Sequence, residues 1–224
     1  DSDNIFVFGH SMGAFEAPYV AEGFDVKGIM GYGFLVDRWH DYNLGLITKQ
    51  FPIIGTMSYA EAQDFADEAR PVLYDFYFNK LSPGELDDKY GNGSEILTQA
   101  IDYDGKGYIY GRTYRFWQGL NDLNLVKAYS KLQVPVLAMY GEADIEALDK
   151  SSVEHLAYLL NQQQAGLGTF RFISGTDHAF IKVGTRRDGW LLKQSGGYGQ
   201  HMAQNFNPEV VETAVEWMRS QTRE

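Results

Sequence analysis

Short apolar runs near both ends of the chain alternate with segments of helical pattern. The runs are bounded by glycine and polar residues and lie at positions 5–8, 26–33, 134–141 and 169–173. Mostly apolar runs of this length, in which Lys27 and Arg171 are the only charged residues, are typical of strands that are buried on both faces, as in parallel sheets. Strands that alternate with helices predict an α/β fold with a doubly wound, mostly parallel sheet.

Helices are predicted between these strands and after the last one. The first spans about 12–22, and a later one starts at Ser151 as its cap and ends near Gly166. The glycine-rich positions 184–199 predict a loop. A terminal helix then starts at Pro208, and its predicted inner face consists of Val211, Ala214, Val215 and Met218.

The middle of the chain has a different pattern, in which helical signals dominate. We therefore predict a core formed by positions 1–36 and 132–224, interrupted by a helical cap or lid insertion at 37–131. Many of the chain's aromatic residues, which make up 15% of it, fall in this insertion. We interpret most of them as the core of the cap itself and expect some to line an apolar, partly aromatic pocket.

Two helix starts inside the insertion carry a capping box, in which a serine is followed three residues later by glutamate. The pairs are Ser58 with Glu61, which opens a helix to about Asn79, and Ser82 with Glu85. The remaining elements predicted here are a short extended piece at 108–110 and helices at 112–120 and 124–132.

Composition excludes several classes of function. A net charge of -11 argues against nucleic acid and anionic membranes as partners, because both require a basic surface. No apolar run approaches the length of a membrane span. The absence of cysteine excludes disulfides, thiolate metal sites and cysteine nucleophiles, but it does not fix the compartment. The histidines outside the segments discussed next have no clustered partners, so we predict no metal and no cofactor.

The first strand leads into the pattern Gly-x-Ser-x-Gly at positions 9–13. A strand, a sharp turn and a helix are the context in which this pattern indicates a nucleophile elbow, with Ser11 raised off the sheet in a strained conformation. Gly9 and Gly13 are expected to let strand and helix approach each other. The amide of Met12 then points to where a negative oxygen forms during acyl transfer, which makes it a candidate oxyanion donor.

A serine nucleophile needs an imidazole to take its proton and a carboxylate to orient that imidazole. The strand at 134–141 is followed by Asp144, and the strand at 169–173 is followed by His178. Both loops follow strand C-termini, where open α/β sheets place their sites. Asp144 is the first choice as the acid, and Glu142 and Glu146 remain alternatives.

Other polar residues near these loops receive structural interpretations. Asp177, beside the candidate base, is expected to stabilise its loop, and His10 is expected to be a packed imidazole under the elbow. Arg186 and Arg187 are interpreted as a solvated pair, with binding of a substrate carboxylate as the alternative.

Three motifs together resemble the α/β-hydrolase superfamily, in particular its lipase, esterase and serine-aminopeptidase-like members. They are Gly-His-Ser-Met-Gly at 9–13, Pro-Val-Leu-Ala-Met-Tyr-Gly-Glu-Ala-Asp at 135–144 and Gly-Thr-Asp-His-Ala-Phe at 175–180. The resemblance implies Ser11 as nucleophile, Asp144 as orienting acid, His178 as general base and Met12 as one oxyanion donor. In the family, several strands and the loop with the second oxyanion donor precede the elbow, so we predict that the N-terminal strands are missing here.

The resemblance implies a serine hydrolase that cleaves a carboxylic ester with an apolar acyl or alcohol part through an acyl-enzyme. A peptidase or amidase of the same fold is the alternative enzyme, and a catalytically incompetent fragment or binding module is the alternative outside enzymes. The expected partner is a small-molecule ester or a short peptide. Another chain or a missing N-terminal segment is expected to complete the sheet.

Overall fold

The computed structural model describes residues 4–222. In chain order, the elements are β1 (Phe6–His10), α1 (Met12–Ala21), β2 (Gly28–Tyr32), α2 (Trp39–Gly45), a π-helical turn (Leu46–Gln50), α3 (Phe51–Ile54), α4 (Tyr59–Tyr77), α5 (Pro83–Tyr90), α6 (Gly93–Ile101), β3 (Tyr108–Ile109), β4 (Arg112–Thr113), α7 (Tyr114–Leu120), α8 (Leu125–Leu132), β5 (Val136–Gly141), α9 (Lys150–Gln163), β6 (Gly168–Ile173), α10 (Arg186–Gln194), α11 (Tyr198–Gln204) and α12 (Pro208–Thr222).

The chain divides into two compact units. One, the sheet unit, consists of the residues up to Val36 together with those from Leu125 onward, and the other, the helical unit, is Asp37–Asn124. Helix α8 belongs to the sheet unit, because its buried Tyr129 donates a hydrogen bond of 2.7 Å to the carbonyl oxygen of Ala14 in α1. The helical unit therefore ends before α8, whereas the predicted insertion, 37–131, includes most of this helix.

The sheet unit is built on a parallel sheet with the strand order β1-β2-β5-β6. The last residues of neighbouring strands are in register, with His10 opposite Tyr32 and Gly141 opposite Ile173. All strands thus end at one edge of the sheet, and the loops that follow them start there. The predicted α/β class with a mostly parallel sheet is confirmed. Within the described residues β1 lies at one edge of the sheet, and further strands beside it stay a prediction.

Helices cover both faces of this sheet, because its strands carry apolar side chains on both sides. Helices α1, α8 and α9 pack on one face around Ile29, Val136 and Ala138, and α12 packs on the other around Met30, Leu137 and Met139. Gly28 allows the close approach of α12, since a Cβ there would lie 2.6 Å from the Trp217 ring. This arrangement leaves the carboxyl edge of the strands for the functional loops.

Helix α4 is the central element of the helical unit and packs against α2, α5, α6 and α7. The predicted capping boxes of α4 and α5 are both formed. Part of the predicted aromatic core is present, since the rings of Trp39 and Trp117 meet at 4.8 Å and Phe76 is fully buried. Tyr59 and Tyr74, by contrast, are 72% and 50% exposed, so they do not belong to that core.

Several element predictions were wrong in detail. The glycine-rich stretch expected to be a loop contains α10 and the start of α11, and α10 is capped by Thr185, whose hydroxyl accepts from the Asp188 amide. Helix α9 is capped by Asp149, two residues before Ser151. Positions 112–113 form β4 and not the start of a helix, because they pair with β3. The inner face of α12 consists of Val210, Ala214, Trp217 and the partly buried Met218, so Ala214 and Met218 were predicted correctly, whereas Val211 is exposed.

Candidate active site

The turn between β1 and α1 has the strained geometry expected of an elbow. Ser11 lies between the two elements with φ 53° and ψ -123°, a positive φ that is uncommon for a residue with a side chain. A Cβ on Gly9 would lie 2.5 Å from the carbonyl oxygen of Gly13, so glycine is required at position 9. Within residues 4–222 no atom would meet a Cβ at Gly13 in this way, so the expectation that both glycines permit the close approach was wrong for the second one.

The elbow is tied to the neighbouring strand at the carboxyl edge of the sheet. The amide of Ser11 donates to the carbonyl oxygen of Tyr32, the last residue of β2, over 2.9 Å. Met12 is the first residue of α1, so its amide belongs to the N-terminal group of N–H donors that have no partner within the helix. The positive end of the helix dipole lies at the same point, which suits a developing negative charge.

Asp144 and His178 lie in contact after β5 and β6. Oδ2 of Asp144 is 2.8 Å from Nδ1 of His178, and the aspartate is fully buried. The other carboxylate oxygen accepts two backbone hydrogen bonds of 2.8 Å, from the amides of Glu146 and Ala147. These bonds fix the carboxylate, which in turn fixes the ring and places a proton on Nδ1.

Burial and charge act in opposite directions on this imidazole. Burial lowers the pKa of His178, but the hydrogen bond and the charge of Asp144, together with the charge of Glu146, outweigh burial and leave the pKa raised. A raised pKa makes the ring a stronger base than an isolated buried histidine.

The loop that carries His178 is held from the elbow side. Nε2 of His10 donates to the carbonyl oxygen of His178 over 2.7 Å, and the two rings lie 4.8 Å apart. Gly33 leaves room for the base, since a Cβ at this position would be 2.8 Å from Nδ1 of His178. Burial lowers the pKa of His10, which favours its neutral form. His10 therefore has the packed, structural position expected from the sequence.

Asp177 stabilises the same loop from within. One of its carboxylate oxygens accepts from the amides of Ala179 and Ile181 over 2.9 Å, and the other accepts from the hydroxyl of Tyr198. Its own carbonyl oxygen accepts from the hydroxyl of Tyr32 over 2.6 Å. As the sequence suggested, Asp177 therefore stabilises the loop. Its carboxylate is not directed at the imidazole.

The alternatives for the acid have different positions. The carboxylate of Glu142 binds the segment that follows β6: it accepts from the hydroxyl of Ser174 over 2.6 Å and from the amide of Gly175 over 2.8 Å. These bonds lower the pKa of Glu142, and the bond from Ser174 has the larger effect. Glu146 does contact the base, but at the other ring nitrogen, with Oε2 3.3 Å from Nε2 of His178.

Arg186 is not the solvated residue expected from the sequence. Its Nε donates to the carbonyl oxygen of Asp144 over 2.9 Å, and its terminal nitrogen donates to the carbonyl oxygen of Leu148 over 3.1 Å and to the hydroxyl of Tyr140. The guanidinium thus connects Tyr140 in β5 to the backbone at Asp144 and at Leu148, the two ends of the turn that begins with the acid. Sequence reasoning missed this role because the bonding partners lie about forty positions away along the chain.

Residues 4–222 contain no group of three or more histidine, aspartate or glutamate side chains that could hold a metal ion. A search of the same residues finds no helix that is both long enough and apolar enough to cross a membrane.

Solved structures with some likeness to the chain include esterases and a lipase. An esterase from Thermogutta terrifontis aligns with 99% of the chain and 66% of its own length, at 15% identity and a TM-score of 0.45. A monoacylglycerol lipase from Paleococcus ferrophilus aligns over 98% and 70%, at 17% identity and a TM-score of 0.42. The esterase domain of a Rhodothermus marinus protein aligns over 86% and 57%, at 18% identity and a TM-score of 0.36.

The chain thus spans between 57% and 70% of the length of these three structures. No protein-family model matches the sequence, and no curated protein matches it either. Similarity at these levels does not assign an activity to the chain. A proposal about its activity therefore rests on the geometry of the site.

Proposed function

We propose that this chain carries the catalytic residues of a serine hydrolase that cleaves a carboxylic ester through an acyl-enzyme. Ser11 is the nucleophile, His178 the general base and Asp144 the acid that orients it. The observation that carries the proposal is the 2.8 Å hydrogen bond between buried Asp144 and Nδ1 of His178, at the sheet edge where Ser11 has its strained turn. The role of the helical unit as a cap stays a prediction.

The proton positions follow from this bond. Because Nδ1 carries a proton that it donates to Asp144, Nε2 of neutral His178 has a free lone pair. It takes the proton of the Ser11 hydroxyl as the oxygen attacks the carbonyl carbon of the ester. The negative oxygen of the tetrahedral intermediate is stabilised by the amide of Met12 at the start of α1. Nε2 then returns the proton to the departing alcohol, which leaves an acyl group on Ser11.

Deacylation repeats these steps with water in place of the serine. His178 takes a proton from water, the hydroxide attacks the acyl carbon, and Ser11 leaves as it regains its proton. No redox step or external cofactor is required for the balance. Buried Asp144 stabilises the imidazolium in both halves of the reaction.

Turnover of two substrate classes tests the proposal. The purified protein is assayed with p-nitrophenyl esters of short acyl chains and with aminoacyl-p-nitroanilides. We expect ester hydrolysis that Ser11→Ala abolishes and Ser195→Ala leaves unchanged, since Ser195 is an exposed residue that directly follows α10. Turnover of amides without preference for esters would assign a peptidase or amidase instead. A folded protein that turns over neither class contradicts the enzyme assignment.

A further inference from the structure

Both ring nitrogens of His178 face a carboxylate. Nδ1 is 2.8 Å from Oδ2 of Asp144, and Nε2 is 3.3 Å from Oε2 of Glu146. A carboxylate only accepts hydrogen bonds, so the ring donates to both partners only when both nitrogens are protonated. In the proposed reaction, however, Nε2 must be unprotonated to take the proton of Ser11. The contact with Glu146 and the first step of catalysis therefore compete for the same nitrogen.

Glu146 has a second partner on its other oxygen. Nζ of Lys193, on α10, is 3.4 Å from Oε1 of Glu146. The ammonium group also lies 5.2 Å from the centre of the Tyr198 ring, and the hydroxyl of Tyr198 is bonded to Asp177 in the loop of the base. The Glu146 carboxylate is thus held between the base and a lysine, and it is 46% exposed, so it has room to move.

We propose that Glu146 is a positioning residue of this site, a second carboxylate that stabilises the protonated form of His178 in the free enzyme. Lys193 limits this effect because it pairs with the same carboxylate. The inference rests on the proposed function, since only a hydrolase that uses His178 as its base requires Nε2 to be released. Catalysis begins when protonated His178 gives the proton on Nε2 to solvent water, which leaves Nε2 free to accept the proton of Ser11 while Glu146 remains paired with Lys193.

The charged and titratable groups that face the imidazole define the expected signs. Asp144 and Glu146 stabilise its protonated form, whereas Lys193 opposes that form. His10 lies 4.8 Å away, ring to ring, and its own protonation is opposed by His178. Removing the charge of Glu146 should therefore lower the pKa of His178, and removing that of Lys193 should raise it. The base must be neutral to act, so the acidic limb of kcat/KM should move in the same two directions.

The chain offers a matched control in a second carboxylate–lysine pair. On α9, Nζ of Lys150 is 3.5 Å from Oε2 of Glu154, and both side chains are about half exposed. Glu154→Gln and Lys150→Gln remove the same charges as Glu146→Gln and Lys193→Gln, but from a pair with no contact to the base among the described residues.

The experiment measures the pKa of His178 by NMR titration of its ring, assigned by its loss in His178→Gln, and the pH profile of kcat/KM for an ester. We expect Glu146→Gln to lower both the pKa and the acidic limb by about one pH unit, the lower end of the effect of a nearby opposite charge. Lys193→Gln should raise both, and the two α9 variants should leave both in place.

Two results overturn the inference: equal shifts in Glu146→Gln and Glu154→Gln, or a His178 titration that Glu146→Gln leaves unchanged. The NMR titration does not depend on turnover, which separates this inference from the proposed function. A wild-type protein that hydrolyses no ester overturns the proposed function and with it the role of Glu146 in catalysis by His178, even if the titration shifts as expected.

Discussion

Replacing Asp144 by asparagine changes one atom that faces the base and keeps the shape of the side chain. In the native protein, Oδ1 of Asp144 accepts from two backbone amides, and Oδ2 accepts from Nδ1 of His178. An asparagine keeps its only oxygen toward the two amides, because an NH2 group there would face two donors. Its NH2 group therefore takes the place of Oδ2 and donates to Nδ1.

This exchange reverses the proton positions on the imidazole. Nδ1 becomes an acceptor, so the proton of the neutral ring moves to Nε2, which can no longer take a proton from Ser11. We expect kcat to fall by about 10⁴-fold, equivalent to about 5.5 kcal/mol of transition-state stabilisation. The two backbone bonds survive, so the free energy of unfolding should change much less than the activity does.

The assay compares kcat on a p-nitrophenyl ester for wild type and Asp144→Asn, with urea unfolding of both proteins as the control for folding. A variant that retains kcat within tenfold of wild type would refute the assignment of Asp144 as the orienting acid. Loss of activity in Glu142→Gln but not in Asp144→Asn would transfer that role to Glu142.

Three further variants test how the structure supports the site and the two units. Gly33→Ala places a Cβ 2.8 Å from Nδ1 of the base at a φ of +63°, so we expect kcat/KM to fall by about 100-fold because the ring is displaced; an unchanged rate would show that the ring has room at this side. Tyr129→Phe removes a fully buried hydroxyl that bonds the backbone of α1, and urea unfolding should show a loss of about 1–3 kcal/mol, whereas no loss would contradict the bond. The pKa of Asp75 is lowered to about 2, mainly by the hydrogen bond from Lys89. Ionised Asp75 therefore stabilises the helical unit at pH values above its ordinary pKa of about 4, and this stabilisation is lost as the pH falls from about 4 to about 2. The free energy of unfolding should fall over that range in wild type and fall less in Asp75→Asn; parallel curves would contradict the assignment.

Much of the sheet unit could be predicted because its signals are local. Each buried strand is a short apolar run, and the order of strands and helices follows from the alternation of the runs with helical patterns. Within the helical unit, the capping boxes at Ser58 and Ser82 were readable for the same reason, since every partner lies within three residues. The α/β class therefore follows from the sequence alone.

Features that depend on distant packing could not be predicted. The inner face of α12 is set by Trp217, whose ring fills the space above Gly28 in β2, a contact between residues far apart in the chain. Helices α10 and α11 were missed because glycine content favoured a loop, although Thr185 and Asp188 already offered a local capping signal.

In the candidate site, too, local motifs could be predicted and contacts between distant residues could not. The residue types and the chain order of Ser11, Asp144 and His178 could be read from three motifs, whereas the contacts that distinguish the three acidic residues after β5 could not. Glu142 and Glu146 are each two positions from Asp144. The conformation of the loop decides that Glu142 binds Ser174, whereas Glu146 contacts Nε2 of His178. The anchoring of this loop by Arg186 likewise depends on where α10 packs.

Labelling by a fluorophosphonate probe tests the central claim most directly, because the probe reacts with an activated serine whatever the natural substrate is. We expect one label per chain, located by peptide mass spectrometry on Ser11, lost in Ser11→Ala and strongly slowed in His178→Gln. The acidic limit of the labelling rate should follow the pKa of His178. A folded protein that takes up no label, or labelling that survives in Ser11→Ala, would contradict the claim that Ser11 is a nucleophile activated by His178 and Asp144.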